Sequence, residues 1–221
     1  MPLGPRPYLK ICCIESLGEA GLAMGAGAQA LGLVSAMPSG PGVIDETAIA
    51  VIAAAVPPPV ATFLLTASQT AEAIIAQHRR CRTSVLQLVD RVPAADLERL
   101  RSELPGVRIV QVIHVFGEAS LREAEEVAPR VDALLLDSGN PTLAVKELGG
   151  TGRTHDWNLS RRIRESVDRP IFLAGGLHAG NVAAAVAAVE PLGIDVCSGV
   201  RSQGHLDPRK LEAFAAALWG P

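Results

Sequence analysis

Short, continuously apolar runs alternate with longer segments of helical period along the whole chain. The runs are apolar at successive positions rather than at every second one, as expected for strands buried on both faces of a parallel sheet. Such strands are short and rich in β-branched residues, which is the character of these runs. They lie at 8–14, 30–36, 59–65, 84–89, 107–115, 131–137, 170–176 and 194–200.

The intervening segments are Ala-rich or amphipathic, and several begin at a residue that caps helix N-termini. Eight strands alternating with eight helices in 221 residues predict an α/β fold, a single-domain (β/α)8 TIM barrel with parallel strands and outer helices. An open doubly wound sheet is the alternative, but no G-x-G-x-x-G follows the first strand. The capping residues are Ser16, Asp45, Ser68 and Asp207, the last followed by Pro208 at the first helical position.

The composition of the chain indicates a single globular domain. No linker or low-complexity stretch divides the chain, so we expect one domain over 1–221, with 1–7 as an N-terminal extension. With 48% hydrophobic residues and a net charge of -3, the chain predicts a large core, no nucleic-acid partner and no membrane. The cysteines form no C-x-x-C pair, which is typical of a reduced cytoplasmic protein, and the histidines have no metal-binding spacing.

Three glycine-rich stretches follow the last three predicted strands, at 147–154, 173–177 and 197–200. The active site of such a barrel lies at the carboxyl ends of its strands, and phosphate sites form after the late strands. Glycines let backbone N–H groups approach an anion closely. Each stretch alone is typical of a turn, but the three together favour a phosphate site.

Two side chains are candidates for proton transfer. Asp137 closes an apolar run at the barrel mouth, which suits general acid work, although capping or loop anchoring is the alternative. Cys12 lies two residues after Lys10, so both side chains face the same side of the first strand. A thiol near a lysine can be held as thiolate and take a proton from carbon, although a buried Cys is often only core packing. Cys13 is predicted to face the helices.

The motifs LKIC, LQL, LLLDS, GGTGRTHDW, PIFLAGGL and GIDVCSGV, in register from about residue 8 to 218, resemble those of phosphoribosylanthranilate isomerases. The resemblance implies a (β/α)8 barrel that needs neither cofactor nor metal. It implies the Amadori rearrangement of N-(5-phosphoribosyl)anthranilate to the 1-deoxyribulose 5-phosphate ketoamine in tryptophan biosynthesis. The expected partner is a small phosphorylated aminosugar, and the expected assembly is a monomer or homodimer.

The resemblance also implies roles for individual residues. Asp137 corresponds to the general acid that protonates the furanose ring oxygen, and Cys12 to the general base that removes the proton from carbon 2. Lys10 is expected to contribute to substrate binding from the same strand. The residues that correspond to the family's phosphate ligands are Gly150, Gly152, Gly175, Gly176, Ser198 and Gly199.

The chain departs from the family pattern near the expected aglycone. Cys13 replaces a glycine, Pro41 replaces the arginine that meets the anthranilate carboxylate, and Arg201 replaces an acid. The stretch QLVDRV also lacks the family's His-Gly after the fourth strand. Arg201 is the first candidate for the replacement cation, before Arg91 and Arg153. The alternatives are the same isomerisation on another aminosugar phosphate, or a non-catalytic sugar-phosphate-binding homologue.

Overall fold

Each predicted apolar run forms a parallel strand, and the strands close on themselves. The computed structural model describes residues 6–139, 146, 148 and 152–220. Within them the barrel strands follow chain order, and the first pairs with both the second and the eighth, which excludes the open doubly wound sheet. The strands are β1 (Tyr8–Ile11), β2 (Ala30–Val34), β3 (Ala61–Thr66), β4 (Val85–Leu88), β5 (Arg108–His114), β6 (Ala133–Asp137), β7 (Ile171–Leu173) and β8 (Gly193–Val196).

Helices follow the barrel strands and surround the sheet, so the predicted (β/α)8 barrel is confirmed. A short hairpin of β9 (Arg201–Ser202) and β10 (His205–Leu206) precedes the last helix. The helices are α1 (Leu17–Gly25), α2 (Glu46–Ala55), α3 (Ala71–Cys81), α4 (Ala94–Glu103), α5 (Glu118–Val127), α6 (Trp157–Ser166), α7 (Val182–Val189) and α8 (Pro208–Trp219).

Three of the four predicted N-caps are confirmed. The side chains of Ser16, Asp45 and Asp207 accept hydrogen bonds from backbone N–H groups in the first turns of α1, α2 and α8. The prediction for Ser68 is wrong, because α3 begins at residue 71 and its cap is Thr70. The Ser68 amide instead donates to the Thr66 hydroxyl, which holds this segment in an extended turn before the helix starts.

The apolar side chains form two layers, one between sheet and helices and one inside the barrel. The interior contains an edge-to-face pair, Phe63 and Phe172, with ring centroids 6.1 Å apart. The Lys10 ammonium lies 5.2 Å from the Phe63 ring centroid, in reach of a cation–π contact. The barrel is therefore packed below Lys10, and open space is confined to the strand ends above it.

The first strand is shorter than its apolar run. It ends at Ile11, and Cys13 adopts a left-handed backbone conformation with φ of 62°. This conformation breaks the alternation of side chains that a strand would impose. The prediction that Cys13 faces the helices is therefore wrong, and its side chain lines the cavity at the barrel mouth.

The ends of the described chain meet beneath the barrel. The indole N–H of Trp219 in α8 donates to the Pro7 carbonyl at 3.0 Å, immediately before β1. Most of the predicted N-terminal extension, residues 1–5, lies outside the described residues. Of the helices in the described segments, none has the length and apolar character needed to cross a bilayer.

Candidate active site

A cavity of about 680 Å³, including its open mouth, lies at the carboxyl ends of the strands. Cys12 and Asp137, the two predicted proton-transfer residues, both line it, and both are more than nine-tenths buried. The glycine-rich turns after β7 and β8 form one side, and the loop after β2 forms the other. Across the described residues, no group of three His, Cys, Asp or Glu side chains is arranged to hold a metal ion.

Lys10 lies below the cavity rather than in its lining. Its side chain has no exposed surface, and its ammonium donates to the Asp195 carboxylate at 2.8 Å. The two residues are direct cross-strand partners on β1 and β8, which explains how a charged pair fits inside an apolar barrel. Burial alone would lower the pKa of Lys10, but the attraction of Asp195 and of the Cys12 thiolate raises it above its usual value. Lys10 is therefore a fixed positive charge.

Cys12 is surrounded by groups that favour its thiolate. A hydrogen bond from the Cys13 thiol lowers the pKa of Cys12, and the Lys10 ammonium lowers it further, against the opposing effect of burial. The same hydrogen bond, together with the contact to Cys197, raises the pKa of Cys13 well above that of an ordinary thiol. Of the two adjacent thiols, Cys12 is thus the one whose thiolate is favoured, and Cys13 is the one that keeps its proton.

Gly32 on β2 makes the close approach of these groups possible. A methyl group at this position would meet the Cys12 sulfur at 2.8 Å and the Lys10 nitrogen at 3.1 Å. Gly32 could not be singled out from the sequence, because a single glycine within an apolar run carries no sign of what lies across from it. Its role comes from close packing of β2 against side chains at the end of β1, the strand before it.

Asp137 ends β6 on the far side of the cavity from β2. Its carboxylate accepts the backbone N–H of Ser138 at 2.7 Å, which fixes the carboxyl orientation. His155 lies nearby, with its Nε2 and the Ser160 hydroxyl 2.7 Å apart. Burial lowers the pKa of His155, against the attraction of Asp137, so the imidazole is neutral at neutral pH.

The predicted phosphate ligands come together between β6 and β8. Gly152, Gly175, Gly176 and Ser198 all line the cavity, while Gly150 lies outside the described residues. Gly175 and Gly176 have φ of 84° and 60°, and a methyl group on Gly176 would lie 2.6 Å from the Arg153 carbonyl carbon. Gly199 follows Ser198 and packs so closely that a methyl group would meet the Leu177 oxygen at 1.9 Å. These turns therefore require glycine.

The structure does not bring Arg201 into the cavity, contrary to the expectation that it faces the aglycone. Its guanidinium donates to both carboxylate oxygens of Glu19, each at 2.9 Å, and to the Gly204 carbonyl at 2.7 Å. It also donates to the carbonyl of Cys13, and its side chain is only 6% exposed. Arg201 therefore joins α1, the β9–β10 hairpin and the residue after Cys12.

Two further polar residues near the cavity escaped the sequence analysis. Gln87 on β4 lines the cavity, is 3% exposed, and has a side-chain oxygen without a hydrogen-bond partner. Lys146 contacts the loop after β2, because its carbonyl accepts the Ser39 hydroxyl at 2.6 Å, and its ammonium pairs with Asp90. The Lys146 backbone thus lies beside a residue that lines the cavity, and none of the described lining residues is Lys or Arg.

Comparison with known proteins decides the family. A family model described as N-(5'phosphoribosyl)anthranilate (PRA) isomerase matches residues 9–217. The chain belongs to the phosphoribosylanthranilate isomerase family. An N-(5'-phosphoribosyl)anthranilate isomerase from Haloferax volcanii is 37% identical over 95% of this chain and 91% of its own length. Another, from Desulforudis audaxviator, is 38% identical over 93% of this chain and 95% of its own length.

The fold comparison agrees. The crystal structure of the phosphoribosyl anthranilate isomerase from Thermotoga maritima matches with a TM-score of 0.83 and 26% identity, covering 97% of this chain and all of that one. The predicted membership of the phosphoribosylanthranilate isomerase family is confirmed, and the roles of individual residues remain predictions.

Proposed function

We propose that the protein is a phosphoribosylanthranilate isomerase, converting N-(5-phosphoribosyl)anthranilate to the 1-deoxyribulose 5-phosphate ketoamine in tryptophan biosynthesis. The observation that carries the proposal is the pairing of Cys12 and Asp137 in one cavity beside a glycine-rich cradle. Membership of the family supports the same reaction. The thiol, the carboxyl and the anion site are the groups that this rearrangement needs.

The phosphate is proposed to bind first, in the cradle of Gly152, Gly175, Gly176 and Ser198. Glycine turns with positive φ expose their backbone N–H groups, and the serine hydroxyl adds a donor. An anchored phosphate places the ribose between Cys12 and Asp137, so that both act on a single bound orientation. Gln87, with its unpartnered side-chain oxygen, is available to accept a hydrogen bond from a ribose hydroxyl.

Asp137 is proposed to start the reaction as general acid. Protonation of the furanose ring oxygen breaks its bond to carbon 1, and the nitrogen lone pair forms an iminium ion there. The carboxyl is held by the Ser138 amide, which keeps it directed at one atom. Asp137 leaves this step as a carboxylate, and the ring oxygen becomes a hydroxyl group.

Cys12 is proposed to complete the reaction as general base. Its thiolate removes the proton from carbon 2, and the electron pair of that bond moves to the iminium, which gives an enol. The enol tautomerises to the ketone, so no electrons leave the substrate and the step needs no external oxidant. Lys10 is a positioning residue, because its buried ammonium keeps Cys12 deprotonated from below.

Lys146 is proposed to bind the aglycone carboxylate. The loop after β2 contributes Ser39, Gly40 and Pro41 to the cavity, and Lys146 contacts that loop through the Ser39 hydroxyl. An ammonium group has three donors, so it can keep its ion pair with Asp90 while it donates to a substrate carboxylate. A cation from the loop after β6 would then replace the arginine that the family has at position 41.

A second candidate is the same isomerisation on another aminosugar phosphate. It is favoured by one observation, that no Lys or Arg is among the described residues that line the cavity. An aglycone without a carboxylate would need no such cation, since a buried unpaired carboxylate is costly. Only the identity of the accepted substrate distinguishes the two candidate functions, because the proposed catalytic groups are the same in both.

Turnover of N-(5-phosphoribosyl)anthranilate by the purified protein tests the first candidate, as does rescue of a tryptophan auxotroph. We expect Cys12→Ala and Asp137→Asn each to lower kcat by about 10²–10⁴-fold with the fold intact, the usual contribution of a proton-transfer group. Cys81→Ala is the matched control, because Cys81 is a buried thiol on α3 outside the cavity lining. Absence of both turnover and rescue would exclude anthranilate as the aglycone.

Lys146→Met tests the aglycone assignment separately. We expect KM for the anthranilate substrate to rise while kcat changes less, because the cation contacts a part of the substrate that does not react. Arg91→Met is the control, since Arg91 is an exposed cation that pairs with Glu126. Equal KM values for the two variants would contradict the role of Lys146.

Assembly and location are expected as for a small metabolic enzyme. We propose a monomer or homodimer in the cytoplasm that binds a phosphorylated aminosugar and neither nucleic acid nor membrane. The net charge of -3 and the absence of any C-x-x-C cysteine pair support this. Light scattering after size-exclusion chromatography distinguishes monomer from dimer.

A further inference from the structure

Three of the four cysteines meet at the cavity, and the proposed mechanism uses only one of them. Cys12, Cys13 and Cys197 all line it. The sulfur atoms of Cys13 and Cys197 are 2.7 Å apart, closer than two thiols need to be for a hydrogen bond. A disulfide bond is about 2.05 Å long. The two free thiols therefore need to move only a short distance toward each other to reach bonding distance.

The backbone brings this pair together. Neighbouring positions of β1 and β8 are in register, with Ile11 opposite Val196, and the Cys12 amide donates to the Val196 carbonyl at 2.8 Å. Cys13 and Cys197 therefore follow adjacent strand ends. The left-handed backbone of Cys13 is what turns its side chain toward the cavity instead of toward the helices.

We propose that Cys13 and Cys197 are a modification site, a dithiol that a hydroperoxide converts reversibly to a disulfide beside the active-site thiol. Cys197 is the most exposed of the three and meets the oxidant first. Its sulfur takes one oxygen from the hydroperoxide and becomes a sulfenic acid, and the hydroperoxide becomes an alcohol or water.

The second step closes the disulfide. The Cys13 sulfur attacks the sulfenic sulfur of Cys197, the S–S bond forms, and the hydroxyl leaves as water with the Cys13 proton. Two thiols lose two electrons and two protons in total, and one hydroperoxide accepts both electrons. A dithiol reductant reverses the reaction by thiol–disulfide exchange.

The disulfide would act on Cys12 through a lost hydrogen bond. In the reduced protein the neighbouring Cys13 thiol lowers the pKa of Cys12 through hydrogen bonding and so supports its thiolate. A sulfur in a disulfide has no proton to donate, so Cys12 would hold its own proton more tightly. The expected effect on the proposed isomerase is a loss of activity that a dithiol restores. This effect rests on the proposed function, whereas formation of the disulfide does not.

Mass spectrometry of the whole protein tests the site directly. The protein is treated with hydrogen peroxide, its free thiols are blocked, and intact mass and peptides are measured without reduction. Compared with untreated protein blocked in the same way, we expect two fewer blocking groups, two for the four cysteines instead of four, and a linked peptide pair containing Cys13 and Cys197, and dithiothreitol should reverse both changes. Cys197→Ala should abolish the linked pair, and Cys81→Ala, which alters a buried thiol on α3, should leave it unchanged.

Other products would overturn the proposal. A link between Cys12 and Cys13, or oxidation of Cys197 that stops at the sulfenic or sulfinic acid, shows that this pair does not close. Protein that stays unmodified at peroxide concentrations that oxidise free cysteine would also contradict the proposal. If the linked pair forms in a protein that does not turn over phosphoribosylanthranilate, the dithiol stands and the proposed function fails.

Discussion

Lys10 has no exposed surface, and it lies beneath the thiol that the proposed mechanism uses as base. Its ion pair with Asp195 keeps it charged, and its charge in turn favours the Cys12 thiolate. Burying an unpaired charge at this depth costs free energy, so each of the two residues needs the other in order to stay charged inside the barrel. The proposed base, Cys12, thus lies only two residues after the buried charge that supports its thiolate.

Removal of the lysine charge should move the pH profile of the enzyme. Lys10→Met takes away a group that lowers the pKa of Cys12, so that pKa rises. A general base must be deprotonated, and activity is lost as pH falls through its pKa. The acidic limb of kcat/KM is therefore expected at higher pH in the variant than in the wild type, and a pH–rate profile measures it.

The double change Lys10→Met and Asp195→Asn is the control for folding. It removes both charges, so no uncompensated carboxylate is left in the barrel. The double variant should show a smaller upward movement of the acidic limb, because Asp195 itself raises the pKa of Cys12, and a smaller loss of thermal stability than Lys10→Met alone. A limb that stays at its wild-type pH in both variants would exclude the electrostatic role of Lys10.

Gly32 makes a second prediction at the scale of a single residue. A methyl group in Gly32→Ala would lie 2.8 Å from the Cys12 sulfur, so the thiol must move away from its place. A displacement of about 1 Å in a catalytic group costs roughly 100-fold in rate, and we expect kcat to fall by about that factor. Gly21→Ala on α1 is the control, because a methyl group there meets nothing within 4 Å. Equal kcat values in the two variants would contradict the role of Gly32.

Between elements, the Arg201–Glu19 pair joins the start of α1 to the β9–β10 hairpin. The Glu19 carboxylate also accepts the backbone N–H groups of Glu15 and Leu206, so three segments converge on one carboxyl. Burial alone would raise the pKa of Glu19, but the hydrogen bonds from Arg201 and these amides lower it. The arginine that the sequence offered as a substrate ligand is therefore a structural residue.

Loss of this pair should reduce stability. Arg201→Leu leaves the half-buried Glu19 carboxylate without its ion-pair partner, and we expect the free energy of unfolding to fall by about 1–3 kcal/mol. Arg99→Leu, which breaks an exposed ion pair within α4, should change it by less than about 1 kcal/mol. Chemical denaturation of both variants at neutral pH gives the comparison.

The sign of the pH dependence follows from the lowered pKa of Glu19. The stabilisation is complete above the ordinary glutamate value of 4.5 and is lost as pH falls through the lower pKa of the folded state. The stability difference between wild type and Arg201→Leu should therefore shrink in acid. A difference that is constant from neutral pH to well below 4 would contradict this origin.

The elements could be predicted from the sequence because local signals determine them. Apolar runs, caps and glycine turns gave all the barrel strands, and the strand ends brought Cys12 and Asp137 to one cavity. The direction of Cys13 could not be predicted, because it depends on one backbone angle after a strand that ends early. The partner of Arg201 could not be predicted, because Glu19 comes from the other end of the chain. The neighbours of Gly32 could not be predicted, because the closeness of β1 and β2 side chains depends on three-dimensional packing.

At the scale of the whole molecule, barrel closure depends on β1 and β8, which come from opposite ends of the chain. The Lys10–Asp195 ion pair joins these two strands, and the Cys13–Cys197 contact joins the residues that follow them. The proposed base, the charge that supports it and the proposed dithiol therefore all lie where β1 meets β8. Chemistry that alters these residues acts where the barrel closes.

The bond between Trp219 and Pro7 has a consequence for the order of the chain, since it brings the two ends of the described chain together. Linking residue 220 to residue 6 and opening the exposed turn between Pro105 and Gly106 should give a circular permutant with the same barrel. We expect cooperative unfolding and retained turnover, measured by denaturation and assay. A permutant opened at Gly199, which packs too closely against Leu177 to accept a side chain, should lose turnover. The barrel is in this sense a ring of βα units, and any unit could come first along the chain.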